Sequence, residues 1–383
     1  MKRYSLLRLI KNELLAILTN PVVSLTVFGG VIFYSFLYPL PYANQVSQEL
    51  PIAIVNLDNS QTSYQLERMV DATPQITVTN RLHSIADAKD QLLAQDIGGF
   101  LVIPEHFYKD LLLGKSPTLS YAGDASYFLV YGTVVEGLAK AGGTLAAQVK
   151  VSHILAEGSP LAFAQNQYNS FSANMKPTFN SRMGYVDYVV PAVFVLILQQ
   201  TLIMAAGLIG GTQKSTQGYW VNTPKFTLLA IRILVLTALY YLLAMYYFGA
   251  SFEMHGINKL ASIDTLLTLL LPFLVASCLI GIILGELLPR RELVTVVVLV
   301  SSMPLIFLAG FIWPVEMIPA PLVTLSSFFP STPAIQAFLS TNQMGAAWSD
   351  VIGLWGTMWL QVLGWGALCW WACSKQRATS PIS

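Results

Sequence analysis

The side chains able to do chemistry are few, and their spacing argues against an enzyme. Asp58, Asp71, Asp87, Asp90, Asp96 and Asp124 are spread along one region without the pairing of an acid–base dyad or the rhythm of a metal loop. His83, His106 and His153 are isolated from one another, and a lone histidine is structural more often than catalytic. Ser60 lacks the G-x-S-x-G setting of a hydrolase nucleophile. Cys369 and Cys373 stand four apart on one helical face, but no His or carboxylate lies near enough in sequence to complete a metal shell. Together with Cys278 they fall in apolar segments, so they read as packing residues and give no disulfide framework. The run GGTQKS at 210–215 superficially resembles a phosphate loop. That loop requires G-x-x-x-x-G-K-[ST] after a strand; here the spacing fails and an apolar helix precedes it. No catalytic residue, metal or cofactor is expected on this chain.

The elements around these residues are those of a membrane protein. Of 383 residues 54% are hydrophobic and only 11% charged, against about a quarter charged in soluble domains, and mean hydropathy is +0.58. A net charge of +1 gives no basic field for a nucleic-acid partner. A span needs roughly 20 apolar residues, and six such runs predict six transmembrane helices at 21–40, 188–211, 226–250, 266–287, 293–313 and 351–373. In the third, Arg232 is expected to snorkel to the nearer interface. At the end of the fourth, Glu286 and Arg290 are spaced for an ion pair. Residues 1–20 carry Leu6, Leu7, Ile10, Leu14, Ile17 and Leu18 at helical spacing with Arg8, Lys11 and Asn12 opposite, the pattern of an interfacial amphipathic helix.

Most of the acidic residues, and nine of the 21 Lys and Arg, lie between Gln45 and Arg182. Short β-prone runs alternate there with helical ones, so residues 41–187 predict an α/β domain that ends in a long helix and a connector. Lys2, Arg3, Arg8, Lys11, Lys214, Lys225, Arg290, Arg291, Lys375 and Arg377 fall on one side of the spans. The positive-inside rule makes that side cytoplasmic. Both termini, including the tail 374–383, and the loop 212–225 are then cytoplasmic, and the α/β domain is extracytoplasmic. The fold class is thus a polytopic α-helical membrane protein with an α/β domain between its first and second spans, placed in a bacterial inner membrane. The segment 314–350 is apolar yet broken. Gly310, Pro314, Pro319, Pro321, Pro330 and Pro333 cannot share one lipid-facing helix, so it is expected to dip into the membrane and return.

Four stretches resemble the permease subunits of type-2 ABC exporters, and the likeness covers essentially the whole chain. They are PIAIVNLDNSQTSYQLERMVDATP (51–74), GGFLVIPEHFYKDLLLGKSPTLSYAGDAS (98–126), the loop with Asn222-Thr223-Pro224, and PLIFLAGFIWPVEMIPAPLVTLSSFFPSTPAIQAFLSTNQMGA (304–346). The resemblance implies a half-transporter that pairs with a second permease subunit and with two separate ABC ATPase subunits, which bind the ATP and Mg. It implies that residues 212–224 form a coupling helix docking on the ATPase, with Lys214, Gln217, Tyr219, Trp220, Asn222 and Pro224 at the contact. Where the family carries acidic residues before the Gly-Thr pair, this chain has Ile209, Gly210 and Gly211. The broken segment would close an external gate, with Gly310, Trp313, Pro314, Pro330 and Pro333 shaping it. Gly207 with Gly211, and Gly281 with Gly285, have the small-xxx-small spacing of a helix contact and are assigned to the dimer interface. The expected cargo is an amphipathic or lipid-like substrate or drug, with membrane lipids around the spans and a periplasmic adaptor against the external domain. An ion-coupled carrier is disfavoured by the scarcity of ionisable groups in the spans and the lack of internal repeats. The rival of another class is a membrane scaffold or surface receptor whose external domain binds a ligand without transport.

Overall fold

The computed structural model describes residues 5–43, 48–126, 128–168, 178–180, 184–213, 218–221 and 223–375. The chain divides into two compact units, residues 1–45 with 177–383 and residues 46–176. The first unit opens with α1 (Leu6–Thr19), where Ser5 accepts the Arg8 amide at 3.3 Å and satisfies a donor that a helix start leaves orphaned. Leu9, Glu13 and Ile17, each four apart, are buried, while Leu6, Leu7 and Leu18 are exposed. Asn20 caps α2 (Pro21–Ser24) by accepting the Val22 and Val23 amides, and Pro21 occupies the position where a missing N–H costs nothing. A π-helical turn, Leu25–Gly29, leads into α3 (Gly30–Leu37); the stretch Pro21–Tyr42 is long and apolar enough to cross a bilayer.

The second unit contains β1 (Leu50–Asn56), α4 (Gln61–Asp71), β2 (Ile76–Leu82), α5 (Ile85–Leu93), β3 (Gly99–Ile103), α6 (Phe107–Leu112), β4 (Ser120–Gly123), α7 (Phe128–Ala156) and α8 (Leu161–Tyr168). The sheet runs β2-β1-β3-β4, with β1 parallel to both neighbours and β4 antiparallel to β3. Alternation along β1 sorts its side chains into two layers. Ile52 and Ile54 join Leu66, Val70, Val134 and Leu145, whereas Ala53 and Val55 join Ala88, Ile97 and Phe100. Burial on both faces explains why β1 reads as an unbroken apolar run. Its last residue, Asn56, donates to Ser63 Oγ (3.0 Å) and Glu67 Oε1 (2.7 Å) and accepts the Asp58 and Asn59 amides. Ser60 then caps α4. The NLDNS run is therefore a strand-to-helix turn built on side-chain hydrogen bonds.

The first unit resumes with α9 (Val189–Thr212) and α10 (Lys225–Met245), which continues through a π-helical turn (Tyr246–Ser251) into α11 (Phe252–Met254). Then follow α12 (Ile263–Leu287), α13 (Glu292–Leu308), α14 (Ala320–Ser326), α15 (Ser331–Asn342) and α16 (Trp348–Lys375). The apolar window of α9 is 89% buried within the chain and that of α16 only 17%, so α9 is the core of the unit and α16 lies on its outside. Among the described residues five helices are long and apolar enough to cross a membrane, or up to six if the bent pair α14–α15 is one span. This is a polytopic helical membrane protein. Over the expected fifth span, 293–313, the helix ends at Leu308. Gly310 there adopts φ +85°, a left-handed backbone that breaks a helix and that glycine tolerates.

Candidate functional site

Two places in the membrane unit gather polar groups where hydrocarbon would forbid them. The first joins α1, the start of α10 and the loop between α9 and α10. Arg232 Nε donates to Glu13 Oε1 at 2.8 Å, and the two side chains are 1% and 0% exposed. The other carboxylate oxygen accepts from the Tyr219 hydroxyl and from Gln213 Nε2 at 3.3 Å, and Gln213 also donates to Tyr219 Oη at 3.1 Å. Thr223 donates to the Tyr219 carbonyl (2.9 Å), and Pro224 precedes α10 with its carbonyl taken by the Leu228 amide at 3.0 Å. Burial, and then the Glu13 charge, push the Tyr219 phenol up, so it remains a donor. The Trp220 ring lies edge-on to Tyr219 at 5.2 Å.

Arg232 therefore does not snorkel. An inward position on α10 and a carboxylate supplied by α1 hold it in the core. Tyr219, expected at the docking surface, turns its hydroxyl inward for the same reason. Lys214, Gln217 and Asn222 lie outside the described residues. The sequence reading missed Glu13, although a signal existed. Glu13 is the first acidic residue, with none after it until Glu49, and Arg232 is the one charge between Lys225 and Glu253. A carboxylate on the apolar stripe of α1 and the single charge inside the apolar α10 each need a partner. Nearby, Lys225 Nζ meets Glu286 Oε2 at 2.9 Å and the Cys373 carbonyl at 3.5 Å, joining α10, α12 and α16. Glu286 thus takes Lys225, where Arg290 was expected, because α10 brings the ammonium across.

The four glycines assigned to a dimer interface meet their neighbours within one chain. A Cβ on Gly281 would lie 2.5 Å from the Ile203 carbonyl oxygen, and one on Gly285 2.7 Å from that of Gly207. A Cβ on Gly207 would meet the Gly281 oxygen at 3.0 Å, and Gly211 abuts Arg291. Their close approach is the crossing of α9 on α12, with α13 alongside. The spacing revealed the closeness but not which helix comes close.

The second polar place is the break between α14 and α15, where the chain turns by 89°. Its backbone is met by side chains from two long helices. Gln199 Oε1 on α9 accepts the Ser331 amide at 2.5 Å. Gln361 Nε2 on α16 donates to the Ser327 and Phe329 carbonyls at 2.6 and 3.3 Å, and Trp365 Nε1 donates to the Phe328 carbonyl at 3.0 Å. At 1.5 Å per residue, Gln199 lies about 15 Å along α9 from Val189, and Gln361 about 20 Å along α16 from Trp348. These helices have 24 and 28 residues, so the break sits near the middle of both. Irregular backbone is tolerated at such depth only when protein satisfies it. Pro330 caps α15 and Pro333 lies in its first turn. Gly310, Trp313 and Pro314 belong to a different turn, between α13 and α14, with Trp313 55% exposed. The Tyr188 hydroxyl reaches the Phe311 carbonyl in that turn. The proline and glycine pattern announced the broken segment; Gln199, next to Gln200, and Gln361, amides within apolar runs, went unread.

Among the described residues no group of three or more His, Cys, Asp or Glu could hold a metal ion. The family model described as ABC-2 family transporter protein matches residues 22–371. A search of curated proteins gives no match.

Proposed function

The chain belongs to the ABC-2 transporter family, and from that premise we propose that it is the permease subunit of an exporter powered by separate ATPase subunits. The observation that carries the proposal is the hydrogen-bonded set of the buried Glu13 and Arg232 with the half-buried Tyr219 and Gln213. It fastens the loop after α9 to two helices at once, so force applied to the loop moves α1 and α10 as one block. Lys225 with Glu286 passes the movement to α12. ATP and Mg act on the partner ATPase, which docks on the basic side around residues 212–224. There Trp220 and the exposed Val221 offer contact surface, while Tyr219 anchors the loop from within. The α14–α15 break, with the turn at Gly310–Pro314, forms the outer gate between this chain and a second permease. The α/β unit faces outward and both termini face the cytoplasm of a bacterial inner membrane, in keeping with the Lys and Arg distribution. The cargo is amphipathic or lipid-like.

The test is co-purification with the ATPase, followed by ATP turnover in the complex. Tyr219→Phe removes one hydrogen bond from Glu13, so the complex should form as before while turnover loses its dependence on the permease. Unchanged turnover would remove the coupling role from this set. A chain that associates with no ATPase would point to the scaffold or receptor reading.

A further inference from the structure

The α/β unit carries a cleft whose chemistry the transport reading leaves unused. Three helices border it: α4 through Thr62 and Gln65, α6 through Tyr108, Leu111 and Leu112, and the second half of α7. On α7, Leu145, Gln148, Val149, Ser152 and Ala156 recur at intervals of three and four, so they share one face of the helix. The cleft has a volume of about 400 Å³, within the range of small-molecule sites. Leu145 and Val149 connect its floor to the apolar core of the unit. Tyr108 and Leu112 are 43% and 57% exposed and form a side wall open to solvent.

The polar groups of the cleft are amides and hydroxyls. Gln65 Nε2 donates to Gln148 Oε1 at 2.9 Å, so a pair of amides joins α4 to α7. That bond uses one polar atom of each side chain. It leaves the Gln65 oxygen to accept and the Gln148 nitrogen to donate. The lining contains no Asp, Glu, Lys or Arg, and its His153 turns Nε2 to the Leu111 carbonyl at 3.2 Å. An ionic ligand would find no countercharge among these residues. A hydrocarbon would strip water from the amides and return no hydrogen bond. An extended peptide docks on an unpaired strand edge, whereas the walls here are helices whose amides bond within themselves. We propose that the cleft binds a neutral sugar unit of an oligosaccharide. A hydroxyl both donates and accepts, so two neighbouring sugar hydroxyls can give to Gln65 and take from Gln148. The C–H face of the ring then rests on Tyr108 and Leu112. The proposal is independent of the exporter reading, since it concerns binding by the α/β unit and not turnover.

The test uses the full-length chain in phosphatidylcholine nanodiscs, which avoids the sugar headgroups of maltoside detergents, on an array of immobilised neutral and acidic oligosaccharides. Neutral members should retain the chain several-fold more than acidic members do, and several-fold more than they retain empty nanodiscs. Gln148→Leu, at an exposed position, and Gln65→Leu should each cut that retention several-fold while the chain melts as the parent does. Tyr108→Phe should keep the retention and Tyr108→Ala should lose most of it. Retention by no neutral oligosaccharide, equal retention by the acidic ones, or retention that survives both glutamine substitutions would overturn the proposal.

Discussion

Removing either member of the Glu13–Arg232 pair leaves the other charged and dry. Breaking a buried pair in this way costs about 3–5 kcal/mol, whereas replacing both members by apolar residues is often neutral. Glu13→Gln and Arg232→Met should each lower the melting temperature in detergent strongly, and Glu13→Leu combined with Arg232→Met should recover most of the loss. The chain supplies its own reporter: Cys278, Cys369 and Cys373 are buried free thiols, so a thiol-reactive dye marks unfolding. A Glu13→Gln chain that melts like the parent would show that the pair is not a stabilising unit. The pair also explains why α1 is more than a surface helix. Leu6, Leu7 and Leu18 suit an interfacial position, but the same helix turns Leu9, Glu13 and Ile17 into protein.

The long helices depend on places where their backbones touch and places where a backbone is rescued. At the α9–α12 crossing a Cβ added to Gly281 or Gly285 would face backbone first, which cannot swing aside. Gly281→Ala should therefore cost about 1–3 kcal/mol by overpacking. Gly364→Ala on α16, where a Cβ meets nothing within 4 Å, should be neutral or gain up to about 1 kcal/mol from helix propensity. Equal melting of the two variants would refute the crossing. At the α14–α15 break, Gln361→Leu strips the half-buried contacts to the Ser327 and Phe329 carbonyls of their donor, at a cost of about 1–3 kcal/mol. The shorter Gln361→Asn should fail to rescue it; a rescue would mean that the amide does not need its reach. Much of this level was legible in the sequence, because apolar runs, prolines and small-residue spacing are local signals. The partners were not, because the α9–α12 crossing joins residues far apart in the chain, and Gln199 resembles any other polar blemish in a hydropathy profile.

At the scale of the whole molecule, charge distribution separated the chain into a lipid-facing part and an α/β part, and the structure divides it into two units at nearly the same places. What composition could not convey is that the first helix packs one stripe, Leu9, Glu13 and Ile17, against the membrane unit. Deleting residues 1–19 should leave Arg232 without its carboxylate and sharply reduce the amount of chain that accumulates in the membrane, as measured by immunoblot of the membrane fraction. Adding Arg232→Leu to the truncated chain should restore part of that amount; no restoration would mean that α1 matters for another reason. The two charges are 219 residues apart in sequence, which has a consequence for biogenesis. At about 5–20 residues per second, the ribosome delivers Arg232 roughly 10–40 s after Glu13. Until then the nascent first helix carries an unanswered carboxylate, and it must wait in the headgroup region or be escorted. Its retreat into the protein thus marks, like a seal, the moment when the third membrane segment has arrived.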